Sequence, residues 1–180
     1  MSKSGFSVIL CLFTLSLASG QKVEVKVNKD TDFSRFRTFY MMTGEIVLVV
    51  NKEVSREALK ESVRKGVIAN LEDKGHQHTR DSASADLAIT FVAEVVERLD
   101  QQQLGPLGQS PARTPVDLNR SDTWTQEIRS GSLVIEVLER STGKTLWRSS
   151  TTITFRSFDL TEGLQAAVAR SLRKFPKTKK

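Results

Sequence analysis

Cysteine occurs once in the 180 residues, at Cys11 inside a leading apolar run, and histidine twice, at His76 and His78. Beyond that run the chain offers no disulfide, no thiol nucleophile and no Cys-ligated metal. Nucleophilic catalysis needs a base beside the nucleophile, and here the candidates for that base are few. Long hydrophobic stretches are also lacking. The apolar run at residues 6–18, FSVILCLFTLSLA, falls short of the about 20 residues that a helix needs to cross a bilayer core. No G-x-G-x-x-G, H-E-x-x-H or G-x-S-x-G occurs. Gly143-Lys144-Thr145 is not a phosphate loop, because Leu138 stands where the first glycine belongs. Ser62-x-x-Lys65 and Ser171-x-x-Lys174 lack the companion motifs of serine acyl-enzymes and lie in amphipathic helical patterns.

What is present begins with an address. Lys3, the apolar run and the small residues Ala18-Ser19-Gly20 are the parts of a secretory signal peptide, with cleavage expected between Gly20 and Gln21. Leu10 precedes Cys11 where a lipidation motif needs a small residue, so a lipid anchor is not expected. The expected location is the periplasm or cell envelope, with no transmembrane helix in the mature chain.

The net charge of +6 is a property of the end of the chain. Residues 170–180 carry Arg170, Arg173, Lys174, Lys177, Lys179 and Lys180 and no acid. Without these six cations, and without Lys3 of the leader, residues 21–169 stand at −1. A nucleic-acid-binding domain spreads its cations over a face of the fold, so nucleic acid is not an expected partner. Residues 177–180, beyond Pro176, read as a solvated basic tail with some attraction to an anionic surface.

Residues 21–176 read as a single domain. Val23, Val25 and Val27 alternate with polar residues as a half-buried strand, and Thr38–Met42 reads as a second. Glu45–Val50 is a further strand or an inserted hairpin edge. Ser55 caps a helix whose Leu59, Val63, Val67 and Leu71 share one stripe, and Gly75 ends it. Leu87 to Val96 is a long strand, residues 99–121 a mobile loop rich in Gln, Gly and Pro, and Leu133–Leu138 pairs with Leu146–Phe155 across a turn at Gly143. Asp159 and Glu162 form a capping box for the final helix, which Pro176 ends. This order predicts an α+β two-layer sandwich, with two helices on one face of a largely antiparallel sheet.

Four patterns in this order resemble one bacterial family. They are Val25-x-Val27 followed by Asp32-Phe33-Ser34-x-Phe36-x-Thr38-Phe39; Leu71-x-x-Lys74-Gly75 followed by Ala85-Asp86-Leu87; Gly131-x-Leu133-Val134-Ile135-Glu136; and Thr142-Gly143-Lys144-x-Leu146-Trp147-Arg148. The sequence is similar to the "domain of unknown function 4136" family of secreted and lipoprotein-like envelope proteins, over nearly all of residues 22–176 outside the 99–121 stretch. The resemblance implies an α+β fold, an envelope location and no assigned activity, so no catalytic residue and no cofactor carries over. Many members have a lipid-modified cysteine that is absent here, and Glu136 and Glu139 stand where members often have Asp.

The residues in these patterns have structural readings. Gly75 and Gly143 suit positive φ, Trp147 suits a core position with its indole N–H paired, and Asp86 suits a carboxylate accepting backbone N–H groups of the preceding turn. His76 and His78, two apart beside Asp81 and Asp86, are the candidate metal ligands, read otherwise as an exposed polar loop. The expected function is non-enzymatic binding or assembly, with an envelope protein or an anionic surface as partner. The alternatives are a metal-dependent hydrolase using His76 and His78, and a basic-tailed module adhering to anionic lipid or polymer.

Overall fold

Spacing by four places Leu59, Val63, Val67 and Leu71 on one side of a helix, and all four are buried. The computed structural model describes residues 22–50, 54–103, 123–155 and 159–178. This first helix, α1, spans Arg56–Glu72, and the Ser55 hydroxyl accepts from the Ala58 N–H at its start. Its end is closed by Gly75 N–H on Glu72 O at 2.8 Å and His76 N–H on Leu71 O at 3.1 Å, a geometry that requires the φ of +91° at Gly75. The second helix, α2 (Leu160–Leu172), starts on the Asp159 carboxylate, which accepts from the Thr161 and Glu162 N–H groups. It ends at Leu172, short of Pro176, and buries Leu164, Ala167, Val168 and Leu172. Each buried leucine or valine among these contributes about 1.5–3 kcal/mol when taken fully out of water.

The described residues also form seven strands: β1 (Val23–Val27), β2 (Thr38–Met41), β3 (Glu45–Val49), β4 (Gln77–His78), β5 (Leu87–Gln103), β6 (Thr123–Glu139) and β7 (Thr145–Phe155). They join one sheet in the order β1-β7-β6-β5-β2-β4, with β3 also on β5. The β1–β7, β7–β6 and β6–β5 pairs are antiparallel, and the β5–β2, β5–β3 and β2–β4 pairs are parallel. Alternate residues of the central strands, among them Phe39, Ile89, Phe91, Ile135, Trp147 and Ile153, form a core with the helices. This is the α+β architecture expected from the sequence, with both helices packed against one face.

Three elements differ from the sequence reading. β3 is a strand paired in parallel with β5 (Glu45↔Val92 to Val49↔Val96), where the apolar run alone left a hairpin edge open. A two-residue strand, β4, lies inside the polar stretch after α1, held by Gln77 N–H on Arg37 O and Thr79 N–H on Phe39 O. β5 runs on to Gln103, into the stretch read as a loop, because the ladder from Glu97↔Arg129 to Gln103↔Thr123 satisfies the backbone without any hydrophobic alternation. Residues 104–122, the rest of that stretch, lie outside the described residues, as do Gly20 and Gln21 of the expected cleavage site.

Candidate functional site

Asp86 enters β5 and accepts from the neighbouring parallel strand, not from its own turn. Its Oδ2 receives the Arg37 N–H at 2.8 Å, the Thr38 N–H at 2.9 Å and the Thr38 hydroxyl at 3.0 Å. Sequence proximity pointed to the preceding turn, but a strand start leaves N–H groups open, and β2 starts beside this carboxylate. Desolvation pushes the Asp86 carboxyl upward, yet the three donors outweigh it and hold its pKa below the usual carboxylate range. The Arg140 N–H donates to Asp86 O at 2.9 Å, so the hairpin carrying Gly143 (φ +69°) is fixed to the same corner. This is a structural clasp.

A second group of residues gathers around the end of the chain. Phe175 is buried, with its ring edge-on to Trp147 at 5.3 Å, edge-on to Phe33 at 5.6 Å and tilted to His76 at 5.4 Å. His76 is thus only 2% exposed, not part of an open loop. The segment that covers it lies a hundred residues further on, out of reach of any local reading. Its Nε2 lies 3.2 Å from the Pro176 carbonyl, which can only accept, so the proton sits on Nε2. Desolvation lowers the His76 pKa from its ordinary value, against the raising effect of that carbonyl. His78 lies tilted against Phe39 at 5.3 Å between ring centroids, and desolvation followed by the Arg64 charge lowers its pKa as well. The two imidazoles thus have separate partners, and no group of three or more His, Cys, Asp or Glu forms a metal cluster among the described residues.

Trp147 is fully buried, and its indole N–H has no hydrogen-bond partner among the described residues. The pairing expected for it is not seen among the described residues, where Phe175 packs edge-on against the ring. The tail also departs from the solvated reading: Thr178 N–H donates to Lys74 O at 3.0 Å, which docks the chain beyond Pro176 onto the end of α1. Lys179 and Lys180 lie outside the described residues.

Neither of two surface clefts brings these residues together. One of about 360 Å³ lies on the sheet face opposite the helices, between Tyr40, Met42, Ala88, Leu138 and Arg140. Another of about 270 Å³ lies between α1 and the β2–β3 connection, beside Lys60, Arg64 and Phe91. Neither is lined by a histidine.

The unusual surface is at the two ends of the sheet. Among the described residues the exposed large hydrophobic side chains are Val27, Met42, Val47, Val49 and Val92. Val27 lies on β1, at one end of the sheet, 47% exposed. The other four lie on or beside β3 at the opposite end, where Val49 is 55% exposed. Both strands are five residues long, VEVKV and EIVLV, and among the described residues each is paired on one side only. The alternation of β1 and the apolar run of β3 were legible in the sequence, but their status as edges was not, because it depends on strand order.

The family described as "Domain of unknown function (DUF4136)" matches residues 23–177. Among solved structures, the chain is similar to a PelC dodecamer from Paraburkholderia phytofirmans, at 14% identity and a TM-score of 0.52, covering 88% of this chain and 100% of that one. It is also similar to a DUF4136 family protein from Bacteroides thetaiotaomicron, at 19% identity and a TM-score of 0.51, covering 85% of this chain and 94% of that one. A PDZ domain protein from Parabacteroides distasonis shares 16% identity at a TM-score of 0.54, covering 88% of this chain and 36% of that one. No curated protein matches the sequence. At these identities the solved structures speak for the fold, whereas the family match spans almost the whole chain, and the protein belongs to the DUF4136 family.

Proposed function

We propose that this protein is exported to the cell envelope and works there by docking through the ends of its sheet, not by turnover. The observation that carries this reading is the placement of the exposed apolar side chains: Val27 at one end, and Met42, Val47, Val49 and Val92 at the other. Open strand edges with apolar side chains are templates for pairing, which natural proteins blunt unless they use them. The signal-peptide pattern of residues 1–20 supports export. The similarity to PelC, a protein solved as a dodecamer, supports a fold able to assemble.

Fractionation and sedimentation of the protein from its own cells test the proposal. The expected result is protein in the envelope fraction, beginning at Gln21 and sedimenting faster than a single chain. Val27→Asp and Val47→Asp should each return it to single-chain sedimentation. Retention in the cytoplasm, or single-chain sedimentation of the unaltered protein, overturns the reading.

A further inference from the structure

Resting on that reading, we propose that the partner at each sheet end is a second copy of this chain, with β1 of one copy adding to β3 of the next as an antiparallel strand in a defined register. Directions come first. β5 and β3 run the same way, β6 opposes β5, β7 opposes β6, and β1 opposes β7. β1 and β3 are therefore opposed, and copies repeated head to tail, with their helices on the same side, bring the two together antiparallel. That is the more stable ladder.

The open backbone groups agree. Thr152 N–H donates to Lys22 O and Asn28 N–H to Leu146 O, so the even-numbered residues of β1 bond to β7. Val23, Val25 and Val27 therefore turn their N–H and C=O groups to the open side. At the other end, Met42 N–H bonds to Ile89 O on β5, whereas the core-facing Phe39 gives its carbonyl to the outer strand β4. On this side of β5, residues facing away from the helices bond inward to β5, and core-facing residues present their backbone outward. In β3 the core-facing residues are Ile46 and Leu48. Val23 and Val25 on β1 and Ile46 and Leu48 on β3 thus carry both the open backbone groups and the side chains on the helix-covered face.

Charge selects the register. Four alignments of Val23, Val25 and Val27 against Ile46 and Leu48 keep these parities together. Val25 opposite Ile46 puts Val23 opposite Leu48, and on the other face sets Lys26 against Glu45 and Glu24 against Val47. Moving β1 by two residues one way sets Glu24 against Glu45, a repulsive pair. Moving it the other way leaves Glu45 facing Asn28, and two residues further sets it against Asp30, again a repulsive pair. Only the first alignment gives Glu45 an opposite charge and continues the apolar inner face without a gap. The interface joins two different edges, so it repeats head to tail from copy to copy.

Charge exchange and cross-linking test this on the exported chain. Lys26→Glu or Glu45→Lys alone should weaken self-association about tenfold at low salt, and the two together should restore it. The chain from Gln21 contains no cysteine, so Glu24→Cys with Val47→Cys reports the register directly. Within one copy these positions are four strand spacings apart, about 19 Å, beyond the reach of a disulfide. Oxidation should therefore give a ladder of linked copies, and Glu24→Cys with Val49→Cys should give far less. Self-association without rescue or a ladder overturns this pairing and leaves the docking reading standing. A purified chain that stays single, while protein in its own extract sediments in a complex, also overturns it and names a different protein as partner. Single-chain behaviour in both settings sinks the docking reading as well.

Discussion

Replacing Trp147 with alanine removes the largest fully buried side chain in the core. Truncating a buried aromatic to alanine costs about 3–5 kcal/mol, against a total stability of about 5–15 kcal/mol for a domain. The structure places this site at the upper end of that range, because Phe175 leans edge-on against the indole and also holds Phe33 and His76. With a urea slope of about 2 kcal/mol/M, the unfolding midpoint should fall by roughly 2 M. Trp147→Phe is the sharper comparison. It keeps a ring against Phe175 and removes an indole N–H that has no partner among the described residues. Burying that donor unpaired costs about 1–3 kcal/mol, which phenylalanine recovers while losing ring volume. Phenylalanine should therefore cost less than half as much as alanine. A loss under about 1 kcal/mol for Trp147→Ala would refute the core assignment. Equal losses for the two variants would show that the indole N–H is paired.

Three further outcomes follow from the packing. Burial holds the His76 pKa below its unfolded value of 6.5, so the unfolded chain takes the proton first as pH falls. The resulting stability is full above pH 6.5 and declines from there toward the lowered folded value; thermal melts from pH 7.5 to 5 should show a shallower decline in His76→Gln, with the remainder from His78. Gly131→Ala and Gly66→Ala should have opposite signs. A Cβ at Gly131 meets Glu94 O at 2.2 Å and should cost about 1–3 kcal/mol, whereas at Gly66, inside α1, it meets Val168 at an ordinary 3.6 Å and should add about 0.5–1 kcal/mol of stability in urea unfolding. Deleting residues 177–180 removes the Thr178 bond to Lys74 O and should lower stability by about 1 kcal/mol; an unchanged urea midpoint would mean that water serves that carbonyl equally well.

Local signals carried both helices, since Ser55 and Asp159 are caps whose effect reaches only one turn. They carried the β6–β7 hairpin too, where Gly143 sits at the turn. What stayed hidden depends on residues far apart in the chain. The parallel pairing of β3 with β5 leaves no mark on EIVLV, which would read the same beside any strand. Asp86 was legible as an acceptor, but its donors, Arg37 and Thr38, belong to another strand. His76 looked exposed because its neighbours are polar, and the ring that covers it is Phe175. The sheet ends were missed for the same reason. VEVKV reads as a half-buried strand whether or not a neighbour follows, and only the strand order shows that one side of it is open among the described residues.

Hydrogen exchange of the assembled protein from the envelope tests the claim of docking through the sheet ends most directly, because it reads the open backbone groups themselves. Peptides covering residues 22–28 and 44–50 should exchange slowly in the assembled protein, with protection at Val23, Val25, Ile46 and Leu48. Both should exchange fast in Val47→Asp, whose side chain is on the solvent face of the sheet, leaves the core intact and meets Glu24 of the next copy. Fast exchange of both edges in the unaltered assembled protein would show that its sheet ends are bare, and the account would be wrong.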